Sequence, residues 1–77
     1  MVSAYILIQT DLGAAAEVAA AAKRIPGVSA ADDVAGPYDV IVQASAENVD
    51  QLGRQVVAAL QATPGITRTL TCPVINL

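Results

Sequence analysis

Few side chains in this sequence could do chemistry. Among 77 residues there are no histidines, one cysteine, seven acidic residues and four basic ones, for a net charge of −3. Without histidine the usual general base near neutral pH is missing. Cys72 has no histidine to take its proton and precedes Pro73. It reads as a small hydrophobe of an edge strand, not as a nucleophile. Asp32 and Asp33 are adjacent, so on a strand they point to opposite faces and cannot readily act on one substrate. No spacing of carboxylates suggests a metal site. The expectation is no enzyme, no cofactor and no metal.

The stretch "VAGPYDVIVQ", residues 34–43, offers more. Gly36 permits a positive φ, Pro37 presets its own φ for a turn, and Asp39 can bond neighbouring amides. On those grounds "GPYD" is a hairpin corner. Such a corner also exposes backbone amides beside a carboxylate, and so could take both ends of a zwitterion. Both readings stand at this level. Thr67, Thr69 and Thr71 alternate in "TRTLT", so their hydroxyls share one face of a strand. They either complete the polar contacts of that corner or simply reflect the β-propensity of threonine.

These residues need elements to position them. Val2 to Gln9 reads as a first strand. Residues 12–25 are alanine-rich and helical, with Thr10 or Asp11 as cap and Ala14, Val18, Ala21 and Ile25 as one apolar stripe. "PG" at 26–27 stops the helix. Val28 to Val34 is a second strand and Tyr38 to Ala44 a third. "SAENVDQ" opens a second helix, capped by Ser45 or Asn48, with Gln51 three residues after the latter. Its stripe is Val49, Leu52, Val56 and Leu60, and "TPG" at 63–65 stops it. Ile66 to about Leu77 is a fourth strand, with Pro73 marking an edge or a bulge.

The two halves echo each other, with "IPGV" and "TPGI" carrying prolines 38 residues apart. Two right-handed βαβ crossovers joined by a hairpin predict an α+β, ferredoxin-like βαββαβ sandwich over residues 1–77, a four-stranded antiparallel sheet with two helices on one face. In the first strand Val2, Ala4, Ile6 and Ile8 oppose Tyr5 and Leu7; in the third, Val40 and Val42 oppose Ile41. Apolar side chains on both faces predict a sheet covered on both. One helix layer covers one face, so the reading is a homodimer packed sheet against sheet. The 55% hydrophobic content of so short a chain points the same way.

Scattered cations and two tyrosines predict no direct nucleic-acid binding. A lone cysteine allows no intrachain disulfide. The alanine run is broken by Glu17 and stops at Lys23, too short for a membrane span. With no signal-peptide pattern at the start, the expected place is the cytoplasm.

The opening "AYILIQT", then "IPGV", "VAGPYDVIV" and the closing "TPGITRTLT" together resemble the ligand-binding, oligomerisation (RAM) domain of the Lrp/AsnC transcription regulators. The match spans nearly the whole chain. Family regulators carry an N-terminal helix-turn-helix domain, whereas this sequence begins at the first strand, so it resembles the stand-alone form without a DNA-binding domain. The resemblance implies dimers that assemble into octamer-like or similar rings, with small effectors, commonly amino acids, lodged near the corner. Carried over by position, Gly36, Pro37, Tyr38 and Asp39 line that site, with Thr67, Thr69 and Thr71 as further contacts. An alternative is an interaction module that co-assembles with full-length regulators and binds no ligand. Another is an ACT-like amino-acid domain using "DLG" at 11–13. A copper chaperone is set aside, because "TDLG" holds no Cys-x-x-Cys.

Overall fold

The computed structural model describes residues 1–75 and gives the expected βαββαβ order. Strand β1 is Val2–Thr10, helix α1 Ala15–Lys23, β2 Val28–Asp33, β3 Val40–Ala46 and β4 Ile66–Pro73. Helix α2 runs continuously through Val49–Leu52, a π-helical segment Gly53–Val57, and Ala58–Gln61. The strands form one antiparallel sheet in the order β2-β3-β1-β4, so β2 and β4 are its edges. Pro73 therefore lies on an edge strand, where its missing N–H costs no ladder bond.

The core lies between sheet and helices. Ile6, Ile8, Val40 and Val42 are fully buried from the sheet side, and Val18, Val56 and Leu60 from the helix side. Among the described residues no polar or charged side chain is buried.

The two helices depart from expectation in instructive ways. Thr10 and Asp11 do not cap α1, whose N-cap is Ala14 with no side-chain bond. Thr10 is still strand, its N–H given to the Asp39 carboxylate, and the Asp11 N–H donates to the Gly65 carbonyl. The chain is thus held extended past the proposed caps. The buried face of α1 is Val18, Ala19 and Ala22, with Ala14 and Ile25 partly buried against the same core, so of the expected stripe only Ala21 gives way to its neighbour Ala22. An alanine run carries too little polar contrast to fix its own phase.

In α2, Asn48 is the cap: its side chain accepts from the Gln51 N–H, while Gln51 Oε1 accepts from the Glu47 N–H. Leu52, Val56 and Leu60 are buried, but Val49 is exposed. A spacing of four drifts about 40° per step around an α-helix. The wider π turn, in which the Ala58 N–H reaches the Gly53 carbonyl, slows that drift and keeps the three large residues over the sheet.

The Pro-Gly stops lock the halves together. The Gly27 carbonyl accepts from Ser45, at the end of β3, and the Gly65 carbonyl accepts from Asp11, just past β1. Both glycines have positive φ (97° and 92°), and both sit where a side chain would press on a neighbour. A Cβ on Gly27 would stand 3.0 Å from the Ser45 carbonyl oxygen; one on Gly65 would stand 3.2 Å from Ala14 and Val18.

Strand ends also shift. β3 starts at Val40, not Tyr38, because Asp39 is occupied in closing the corner. β4 ends at Pro73, although the Val74 N–H still reaches the Ser3 carbonyl. The rest of the expected strand, Asn76 and Leu77, lies outside the described residues. No helix among the described residues is long and apolar enough to cross a membrane.

Candidate functional site

The "GPYD" corner sits at the end of the sheet where β1 leaves and β4 enters. Asp39 organises it with three bonds of 2.8 Å. Its N–H donates to the Ile8 carbonyl, its carbonyl accepts from the Val34 N–H, and Oδ2 accepts from the Thr10 N–H. Asp39 is thus a structural clasp between β1 and the hairpin, and one carboxylate oxygen is committed within the chain. Gly36 has φ 154°, open to glycine with little strain, and a Cβ there would meet nothing within 4 Å. Gly36 and Pro37 are exposed; Tyr38 and Asp39 are half-buried.

Two further contacts tie the corner to β4. Gln9 Nε2 donates to the Pro37 carbonyl at 3.1 Å, and Thr67 Oγ1 donates to the Gln9 carbonyl at 3.2 Å. The structure therefore brings Gly36, Pro37, Tyr38, Asp39 and Thr67 to one end of the sheet, linked through Gln9. Thr69 and Thr71 lie farther along β4, half-buried, opposite Ile8 and Ile6 on the helix side. A register shift between Gln9 and Thr10 leaves Thr67 out of the pairing, between Arg68 opposite Gln9 and Ile66 opposite Thr10. That bulge breaks the alternation on which three hydroxyls on one face depended.

Gln9 and Arg68 are the residues that sequence reasoning missed here. Arg68 pairs with Gln9 and lines a shallow depression of about 170 Å³ with Gln61, Ile66, Thr67 and Thr69. The available signal was alternation: Gln9 follows Tyr5 and Leu7 on the face away from the helices. Cys72 is an exposed free thiol on the same face, opposite Tyr5. Among the described residues no group of three or more acidic or thiol side chains is placed to hold a metal ion.

Among the described residues the corner offers backbone amides, a carboxylate and a hydroxyl, groups suited to polar contacts. Such a βαββαβ domain, with an open sheet face and a polar corner at one end, belongs to the class of ferredoxin-like ligand-binding domains. The family can be named more narrowly. The Lrp/AsnC ligand binding domain matches residues 3–77, and the chain belongs to that family, a ligand-binding domain of transcription regulators and not an enzyme. It is 36% identical over 72 residues to PH1916, an uncharacterized HTH-type transcriptional regulator of Pyrococcus horikoshii, which aligns with 90% of this chain and 48% of the regulator. The chain thus spans about half the length of the curated relatives it matches. Among solved structures, the protein PHS023 from Pyrococcus horikoshii is 31% identical with a TM-score of 0.89, covering 100% of this chain and 93% of that one. The regulator NMB0573 of Neisseria meningitidis, solved in complex with L-methionine, shares the fold at 21% identity with a TM-score of 0.83, covering 97% of this chain and 50% of that one.

Proposed function

We propose that this domain binds a small zwitterionic effector, an amino acid, at the 36–39 corner, and does so as a homodimer that joins sheet face to sheet face and assembles further into a ring. The observation that carries the ligand reading is the corner itself. Exposed loop backbone at Ala35 and Gly36 stands beside an anchored carboxylate, a pairing suited to an α-carboxylate and an α-ammonium. Thr67 is close enough through Gln9 to add a hydroxyl. The relative from Neisseria meningitidis supports the ligand class, since its structure holds L-methionine. The dimer is supported by Tyr5 and Leu70, 45% and 47% exposed on the face the helices leave open.

A second reading is favoured by two details of the same corner. Pro37 supplies no amide, and Asp39 Oδ2 already serves Thr10. On that reading the domain is an interaction module that co-assembles with full-length Lrp/AsnC regulators and binds nothing small.

Calorimetry with the twenty amino acids decides between them, using wild type and Asp39→Asn. Asparagine keeps an oxygen for the Thr10 N–H but loses the charge. The expected result is binding of at least one amino acid by wild type, weakened about tenfold or more in Asp39→Asn, whose fold persists. If wild type gives no heat with any of them, the ligand reading fails and the interaction module stands.

A further inference from the structure

We infer that a groove beside α1, on the helix side of the molecule and apart from the corner, is a second binding site. In it Glu17 and Arg24 hold the two ends of a short zwitterionic peptide of two or three residues. This goes beyond the amino-acid reading of the corner and does not depend on it.

The chain carries an internal control for this groove. Its halves align at an offset of 38 residues, so that Val18, Ala22 and Gly27 fall on Val56, Leu60 and Gly65. Each helix lies against the Pro-Gly stop of the other half: a Cβ on Gly65 would meet Val18 of α1, and one on Gly27 would meet Val56 of α2. Beside α1 there is a cavity of about 420 Å³ lined by Glu17, Ala20, Ala21, Arg24, Thr63 and Pro64. At the same offset Ala20 and Ala21 fall on Ala58 and Ala59, and Pro26 falls on Pro64, so the small floor and the proline wall recur. The charges do not recur: Glu17 falls on Gln55 and Arg24 on Ala62. The floor belongs to the repeated scaffold, and the two charges belong to this groove alone.

Both charges are exposed, and the one ion pair among the described residues is Arg54 with Asp50 on α2. Two turns of helix separate Glu17 from Arg24, about 10 Å along the axis. The ammonium and carboxylate of a single amino acid hang from one α-carbon and cannot reach both. An extended peptide spans about 3.3–3.6 Å per residue, so two or three residues suffice. The ammonium then meets Glu17, and the carboxylate meets the Arg24 guanidinium, whose fork can give it two N–H bonds. Thr63 Oγ1 already donates to the Ala59 carbonyl, so any further bond it makes is as an acceptor, which suits a peptide N–H. The alanine floor admits small side chains. The macrodipole of α1 also favours an acid in its first turn and a base at its end. Melting alone therefore does not test the site; binding does.

The probe is the peptide Ala-Ala-Ala, followed by the amide shifts of the protein in NMR. Binding is expected to move the signals of Ala20, Ala21, Arg24 and Thr63, with a dissociation constant on the order of 1 mM. Glu17→Gln and Arg24→Gln, both at exposed positions, are each expected to weaken it about threefold to fivefold, as is acetylation or amidation of the matching peptide end. Ala20→Leu keeps a good helix former but fills the floor, and is expected to abolish binding. Asp39→Asn is expected to leave it unchanged, which separates this site from the corner. Signals that stay still at about 10 mM peptide, or that move equally with free alanine, would overturn the site. So would binding indifferent to both charge variants, binding retained by Ala20→Leu, or binding lost in Asp39→Asn.

Discussion

The two faces of this sheet are built from alternate residues of the same strands, yet only one is finished by the chain. On the helix side Ala4, Ile6, Ile8, Val40, Val42 and Ala44 are at most 3% exposed. Small residues there share one core with small residues on the helices, Ala19 and Ala22 among them. On the other side Tyr5, Leu7, Ile41 and Leu70 are of comparable size and apolarity, but they are mixed with Gln9, Gln43, Asp32 and Arg68 and remain partly or well exposed. A protein core rarely tolerates that mixture, whereas an interface with an apolar centre and a polar rim has it. The contrast teaches that amphipathic alternation assigns residues to faces without saying who covers each face.

The largest expected effect falls on the finished face. Ile6→Ala removes a fully buried side chain between sheet and helices and should lower unfolding free energy by about 3–4 kcal/mol. For a small domain that is a large share of all the stability it has. Urea unfolding measures it; a loss under about 1 kcal/mol would mean the helices do not pack on the sheet as described. On the open face the corresponding change is Leu70→Asp. It leaves the fold of the protomer in place but puts two carboxylates into the proposed contact, one from each copy. Dimer dissociation should become about a hundredfold easier or more. Sedimentation and circular dichroism together read it: lost association with retained secondary structure is the expected pair of results, and an unchanged association constant would count against the face-to-face dimer.

A third effect tests how the helix layer is closed. Gly27→Ala meets both a positive φ and the Ser45 carbonyl oxygen at 3.0 Å, so a loss of about 1–3 kcal/mol is expected. Gly36→Ala, at the corner, faces open space and should cost less, about 1 kcal/mol, since only its backbone angle is at stake. Equal melting temperatures for the two variants would show that the close approach at Gly27 relaxes freely.

Part of this architecture is legible in the sequence and part is not. The element order, the sheet with helices on one side, and the division of β1 and β3 into two faces follow from period-two alternation and the repeated Pro-Gly stops. Which of the alanines of α1 lie deepest did not, because alanine fits either side of a helix: Ala19 and Ala22 are buried where the stripe had Ala21. The start of α1 did not, because Thr10 and Asp11 are claimed by partners 29 and 54 residues away, Asp39 and Gly65. At the corner, the sequence singles out residues but not the contacts they make. Asp39 could be singled out by its type and its neighbours, yet its bond to Thr10 is a long-range contact that no local pattern announces. The bulge that removes Thr67 from the row of hydroxyls is likewise set by how β1 and β4 end, not by "TRTLT" itself.

The smallest effect sharpens the comparison by showing what exposure alone is worth. Leu12 is 106% exposed at the turn before α1, more open than Tyr5 or Leu70 on the sheet face. It has no apolar row around it: Asp11 and Gly13 flank it, and the sheet face does not extend to it. A single exposed leucine of this kind removes nothing from water when two sheets join. Leu12→Ser should therefore change stability by no more than about 0.5 kcal/mol and leave dimerisation untouched. Leu70, less than half as exposed, should matter far more, because its neighbours in the row are Leu7 and Ile41 and their combined surface is what a second copy can cover. If Leu12→Ser disrupts the dimer as strongly as Leu70→Asp, the contact lies at the end of the sheet and not across its face.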